Sequence, residues 1–123
     1  MAVNKILVVD DSPTMLRILA NTLEKAGYPN IVQAENGTEG LAILAKDLEV
    51  NLILSDWNMP EMTGLEFLSK VKSSEKTKAI PFIMVTSRNV KEDILQAIKL
   101  GARDYIVKPF TVDAIKTKIQ GIG

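Results

Sequence analysis

The 123-residue chain contains no histidine and no cysteine. Without an imidazole or a thiol, Ser-His-Asp and Cys-His catalysis, zinc sites of the usual kind, iron–sulfur ligation and thiol redox chemistry are excluded. Any chemistry must run on carboxylates, hydroxyls and lysines. Charge of one sign is lacking too: 15 Lys and Arg against 15 Asp and Glu leave a formal net charge of zero. The overall balance therefore supplies no long-range attraction for nucleic acid or an anionic membrane. Long apolar runs are missing as well. Ile6 to Val9 and Phe82 to Val85 are far shorter than a membrane span, and Asp10 and Asp11 interrupt what would otherwise resemble a signal-peptide stretch. These features predict a cytoplasmic protein with neither nucleic acid nor membrane as a partner.

What is present is a chain of the usual size for one domain, 46% hydrophobic and 24% charged, able to bury a single core. Short apolar runs alternate five times with stretches of helical periodicity, the pattern of βα units around a parallel sheet. Strands are expected at Lys5 to Asp10, Ile31 to Ala34, Leu52 to Asp56, Phe82 to Thr86 and Tyr105 to Val107. The first, third and fourth are nearly continuous in apolar residues and should be central, covered on both faces. Ser12 and Pro13 suit the cap and first turn of a helix whose apolar face carries Met15, Leu16, Ile18, Leu19 and Leu23 and which closes at Gly27. Further helices are expected from Thr38 to Lys46, from Gly64 to Lys72, from about Val90 to Gly101 with Ile94, Ala97 and Ile98 on one face, and from Lys108-Pro109 to Gly121. Right-handed crossovers make this a doubly wound α/β sheet, whose ligands bind outside the carboxyl ends of the strands. Residues 1–123 are expected to form one domain with no output domain attached.

The strand ends bring together Asp10 and Asp11 after the first strand, Asp56 after the third, Thr86 after the fourth and Lys108 after the fifth. Ionised carboxylates so placed repel one another, so such a cluster either raises a pKa or holds a hard cation through oxygen. Magnesium fits better than a transition metal, because no imidazole or thiolate is available to select one. Mg²⁺ works beside phosphate oxygens, where a lysine and a hydroxyl would also be of use. Together these parts describe phosphoryl transfer to a carboxylate. Asp56, a single acid ending a central strand, is the best nucleophile, and the Asp10-Asp11 pair suits the cation.

The motifs Val9-Asp10-Asp11-Ser12, Ser55-Asp56-Trp57-Asn58-Met59-Pro60 with Gly64 following, Val85-Thr86-Ser87 and Asp104-Tyr105-Ile106-Val107-Lys108-Pro109-Phe110 resemble the receiver domains of two-component signalling. The resemblance covers essentially the whole chain and is greatest to the single-domain chemotaxis regulators of the CheY type, in particular through the Trp-Asn-Met-Pro run after Asp56. It implies a flavodoxin-like (βα)5 three-layer sandwich with five parallel strands in the order 2-1-3-4-5. It implies that Asp56 accepts a phosphoryl group from a histidine kinase, CheA-like if the chemotaxis likeness holds. Mg²⁺ would be held by Asp11, Asp56 and the Asn58 carbonyl, with Asp10 acting mainly through a water. Lys108 would contact the phosphoryl group and Thr86 would swing toward it while Tyr105 moves inward, changing the surface formed by the fourth helix, fifth strand and fifth helix. The chain would then be a signalling switch, not an enzyme acting on other substrates. Its partner would be the flagellar motor switch protein or another downstream protein, with a phosphatase also in view, and the chain itself is expected to be a monomer. Asn58 and Arg88 lie two residues beyond Asp56 and Thr86, at positions that in this family influence hydrolysis of the acyl phosphate.

Each residue also has a plainer reading. Asp11 and Ser12 suit a helix N-terminus, Thr86 is an ordinary strand-ending residue, Tyr105 an aromatic with a wet hydroxyl, and Trp57 a packing residue. Other functions fit the same fold. A flavin phosphate would meet Asp10-Asp11 in the loop that has to bind it. An aspartyl-phosphate phosphatase places an acid two residues after its nucleophile, where this chain has Asn58. A relay intermediate, a phosphate sink or an unphosphorylated interaction module are the remaining alternatives.

Overall fold

The computed structural model describes residues 3–122. Its elements run in strict alternation: β1 (Ile6–Val9), α1 (Pro13–Lys25), β2 (Ile31–Ala34), α2 (Gly37–Lys46), β3 (Leu52–Ser55), α3 (Gly64–Ser73), β4 (Phe82–Thr86), α4 (Lys91–Lys99), β5 (Asp104–Val107) and α5 (Val112–Gln120). The strands form one parallel sheet in the order β2-β1-β3-β4-β5. This is the order that the resemblance implies. Every residue of β1, β3 and β4 is buried, as expected for central strands covered on both faces, whereas the outer strand β2 is largely half-exposed.

Alternation along the strands divides the core in two. Ile6 and Val8 of β1, with Leu52 and Leu54 of β3, pack against Leu19 and Leu23 of α1 and Ile115 and Ile119 of α5. On the other face, Leu7, Ile53 and Met84 pack against Leu44 of α2, Phe67 and Leu68 of α3 and Ala97 of α4. Two helices on one face and three on the other give the three layers.

Local chemistry sets where the helices start. Ser12, Asn36, Thr63 and Thr111 each accept a backbone N–H of the first turn, and Glu66 completes a capping box with Thr63. Gly27 and Gly101, the expected stops of α1 and α4, both take a positive φ. β1 and β3 are each shorter than expected, because Asp10 and Asp56 fall just past the last strand residue. Two apolar assignments need correction. Ile18 is 43% exposed, since it sits roughly 200° around the helix from Leu16 and so leaves the inward stripe of Leu16, Leu19 and Leu23. Ile98 is likewise 43% exposed, at the margin of the stripe through Ile94 and Ala97.

Phe67 is fully buried, with its ring centroid 5.6 Å from that of Phe82. The substitution Phe67→Ala removes this pair and leaves a cavity between α3 and the sheet, for an expected cost of about 3–5 kcal/mol. Urea unfolding should show a lower midpoint at an unchanged slope.

Candidate functional site

Parallel strands bring all their carboxyl ends to one edge, and here the hydrogen-bond ladder continues one rung past it. The Asp10 N–H donates to the Ala34 carbonyl (3.1 Å), the Asp56 N–H to the Val9 carbonyl (2.9 Å) and the Lys108 N–H to the Thr86 carbonyl (2.9 Å). The backbones of these three residues are thus held as firmly as the sheet, which is what a site on a rigid scaffold needs.

Asp10 is 1% exposed and Asp56 9%, while Asp11 faces solvent. Their carboxylates offer oxygens that lie within 4.8 Å of one another. Asp10 Oδ1 accepts the Ser12 N–H at 3.0 Å and its Oδ2 accepts Lys108 Nζ at 2.9 Å. Asp56 Oδ1 accepts the Trp57 N–H at 2.7 Å, and its Oδ2 lies 3.6 Å from Lys108 Nζ. The lysine therefore sits closer to Asp10 than to Asp56. Burial pushes the Asp56 pKa up, and the Asp10 charge adds to the effect, against the opposing pull of Lys108, the Trp57 N–H and Thr86. An all-oxygen donor set with surplus negative charge suits a hard divalent cation such as Mg²⁺ and no softer one.

The loop after Asp56 is drawn in by Gly64, whose N–H donates to the Trp57 carbonyl at 2.7 Å. A Cβ on Gly64 would lie 2.2 Å from the Asp56 carbonyl oxygen, so only glycine permits this approach. Asn58 is exposed, and its Oδ1 accepts Arg88 Nε and Nη2 at 3.2 and 3.1 Å. Trp57 is buried in the α2–α3–α4 core and also lies under the Arg88 guanidinium, whose carbon is 4.8 Å from the ring centroid.

Thr86 is fully buried and its hydroxyl accepts the Arg88 N–H at 3.3 Å. Tyr105 differs from its plainer reading as an aromatic with a wet hydroxyl: the residue is 7% exposed, and the hydroxyl donates to the Arg88 carbonyl at 2.6 Å. The ring that the resemblance expects to move inward is already inside in this structure. Burial, aided by Asp93, pushes the Tyr105 pKa up to about 12, so the phenol keeps the proton it donates. Asp10, Asp11, Asp56, Asn58, Thr86 and Lys108 thus come to this one edge, at or just past the carboxyl ends of β1, β3, β4 and β5, whereas Tyr105 lies inside β5 opposite Met84 and meets the edge only through the Arg88 carbonyl. Arg88, which touches Asn58, Thr86 and Tyr105 as well as Trp57, carried no signal beyond its place two residues after Thr86. Its partner Asn58 is 30 residues away in sequence and Trp57 lies one residue beyond that, and no local pattern announces them.

The raised Asp56 pKa has a definite sign in stability. The folded state holds the proton to higher pH than the unfolded state, so stability is lost as pH rises from the unfolded pKa through the folded one. Asp56→Asn cannot suffer this loss. In buffer free of divalent ions it should be more stable than the parent at neutral pH, the gain fading in acid. Thermal melts across pH check this, and a substituted protein no more stable than the parent at neutral pH would contradict it.

Known proteins are similar to this chain in sequence and in fold. The chain is 45% identical over 118 residues to the Chemotaxis protein CheY homolog of Campylobacter jejuni, covering 96% of this chain and 91% of the relative. It is 45% identical over 116 residues to Chemotaxis protein CheY1 of Helicobacter pylori, covering 94% of each. The crystal structure of Vibrio cholerae chemotaxis protein CheY4 superposes with a TM-score of 0.90 at 34% identity, over 99% of this chain and 100% of that one. The signal receiver domain of a signal transduction histidine kinase from Syntrophus aciditrophicus superposes with a TM-score of 0.83 at 32% identity, over 97% and 92%. The model of the response regulator receiver domain matches residues 6–120, and the chain belongs to that family.

Proposed function

We propose that this chain is a phosphorylation-activated response regulator of a two-component system, closely related to the CheY chemotaxis regulators, with Asp56 as phosphoryl acceptor. The observation that carries this reading is the convergence of Asp10, Asp11 and Asp56 with Lys108 on one edge of the sheet. In the transfer, an Asp56 carboxylate oxygen forms the bond to phosphorus as the phosphorus–nitrogen bond of a kinase phosphohistidine breaks. The electron pair leaves with the imidazole nitrogen. Asp11, Asp56 and the Asn58 carbonyl would hold Mg²⁺, with Asp10 acting through a water, and the ion would supply neutralisation of charge on the transferred group. Lys108 exchanges part of its contact with Asp10 for the phosphoryl oxygens. Thr86, whose hydroxyl accepts the Arg88 N–H and already interacts with Asp56, transfers that interaction to the phosphoryl group. That transfer and the placement of Tyr105 bias two arrangements of the surface formed by α4, β5 and α5.

The partners are a histidine kinase, CheA-like by the likeness to chemotaxis regulators, and a downstream protein such as the flagellar motor switch. The reading places the chain in the cytoplasm, and among the described residues no helix is long and apolar enough to cross a membrane.

Intact mass after incubation with acetyl phosphate tests the chemistry. The expected outcome is one added phosphoryl group that needs both Mg²⁺ and Asp56, absent from Asp56→Asn and from protein treated with chelator. No addition under any of these conditions would leave the chain as an unphosphorylated interaction module.

A further inference from the structure

Arg88 lies in the loop between β4 and α4, outside the acidic cluster, yet its side chain touches both the loop after β3 and the first turn of α4. Its guanidinium covers Trp57 at 4.8 Å, within the range of a cation–π contact. Two of its nitrogens converge on Asn58 Oδ1, and the third, Nη1, reaches Asp93 Oδ2 at 3.3 Å. Asp93 is in the first turn of α4, a helix whose cap residue Val90 makes no side-chain capping bond. Val90 before the helix and Leu95 within it are exposed, and in the N-terminal half only Ile94 packs against the core, so little burial fixes that end. The same arginine meets Thr86 through its N–H and Tyr105 through its carbonyl.

We infer that Arg88 is a positioning residue that couples the loop after Asp56 to the first turn of α4. The coupling runs through the side chain: the planar fork lies on the indole while its nitrogens reach Asn58 on one side and Asp93 on the other. A lysine can pair with Asp93 but cannot make all three contacts at once. A change around Asp56 that shifts Trp57 or Asn58 is thereby passed to α4. This inference rests on Asp56 being the phosphoacceptor only for what causes that change.

The link itself can be tested in unmodified protein, because Trp57 is the sole tryptophan. Acrylamide quenching should rise roughly twofold in Asp93→Asn, and the same substitution should add almost nothing in an Arg88→Ala background. Asp93 is joined to Trp57 by way of the Arg88 guanidinium, so quenching at the parent level in Asp93→Asn would overturn the link. Hydrogen exchange of the first turn of α4, before and after acetyl phosphate with Mg²⁺, then reads transmission. The parent should respond, and both Arg88→Lys and Arg88→Ala should lose at least about half of that response while still gaining mass at Asp56. An undiminished response in these variants would overturn the coupling and leave the phosphoacceptor reading intact. No mass gain in the parent would overturn the phosphoacceptor reading, and the quenching result would then decide the link alone.

Discussion

Like-charge crowding at the end of the sheet is the constraint on which the rest of the molecule depends. A parallel sheet cannot scatter its carboxyl ends, so residues that follow β1 and β3 must lie close together. Here they are Asp10, Asp11 and Asp56, with oxygens inside 4.8 Å of one another. Repulsion between such groups at a partly buried site is on the order of a few kcal/mol per pair. Lys108, arriving from the end of β5, offsets part of it, and the N–H groups of Ser12 and Trp57 offset more. The remainder is visible as the upward push on the Asp56 pKa.

A site that opposes folding needs a scaffold that can hold it. Three central strands buried on both faces and two separate apolar cores supply that rigidity. The backbone is committed to the site as well. The ladder extends to the N–H groups of Asp10, Asp56 and Lys108, and Gly64 lets α3 close against the Asp56 carbonyl. Relaxing the carboxylates by moving them apart would break those main-chain bonds. The repulsion is therefore retained, and a cation or a transferred phosphoryl group with its own counter-ion has something to relieve.

Much of this was legible in the residues because the signals are local. Aliphatic strands bounded by capped helices and glycine stops place the ten elements to within a few residues, and the residues just past each strand are then the site by topology alone. Apolar residues at the edge of a helical stripe were less legible: Ile18 and Ile98 fit the sequence pattern, but the rotation of each helix on the sheet leaves them exposed. Long polar side chains were least legible. Arg88 reaches across the crevice to Asn58, 30 residues earlier, and no periodicity encodes so distant a contact. The acceptor of the buried Tyr105 hydroxyl, the Arg88 carbonyl, belongs to the same residue.

In the proposed switch, Tyr105 would move between two positions rather than along a continuum. Inside, its ring lies in the α2–α3–α4 core and its hydroxyl has a carbonyl partner. Outside, water would satisfy the hydroxyl equally well, so the hydrogen bond barely distinguishes the two positions. The difference comes from the apolar body of the ring, whose burial is worth about 1.5–3 kcal/mol for a side chain of this size. An intermediate position would have neither the packing nor the solvation, and close-packed cores do not deform smoothly to supply it. A gap of this size is small enough for a few charge-assisted contacts at Asp56 to bias, provided that the contacts are felt in the loop that carries the Tyr105 acceptor. That loop is the one that follows Thr86 and that Arg88 ties down on both sides, so on the proposed reading the acceptor for the tyrosine and the residue that would sense the crevice belong to the same short segment.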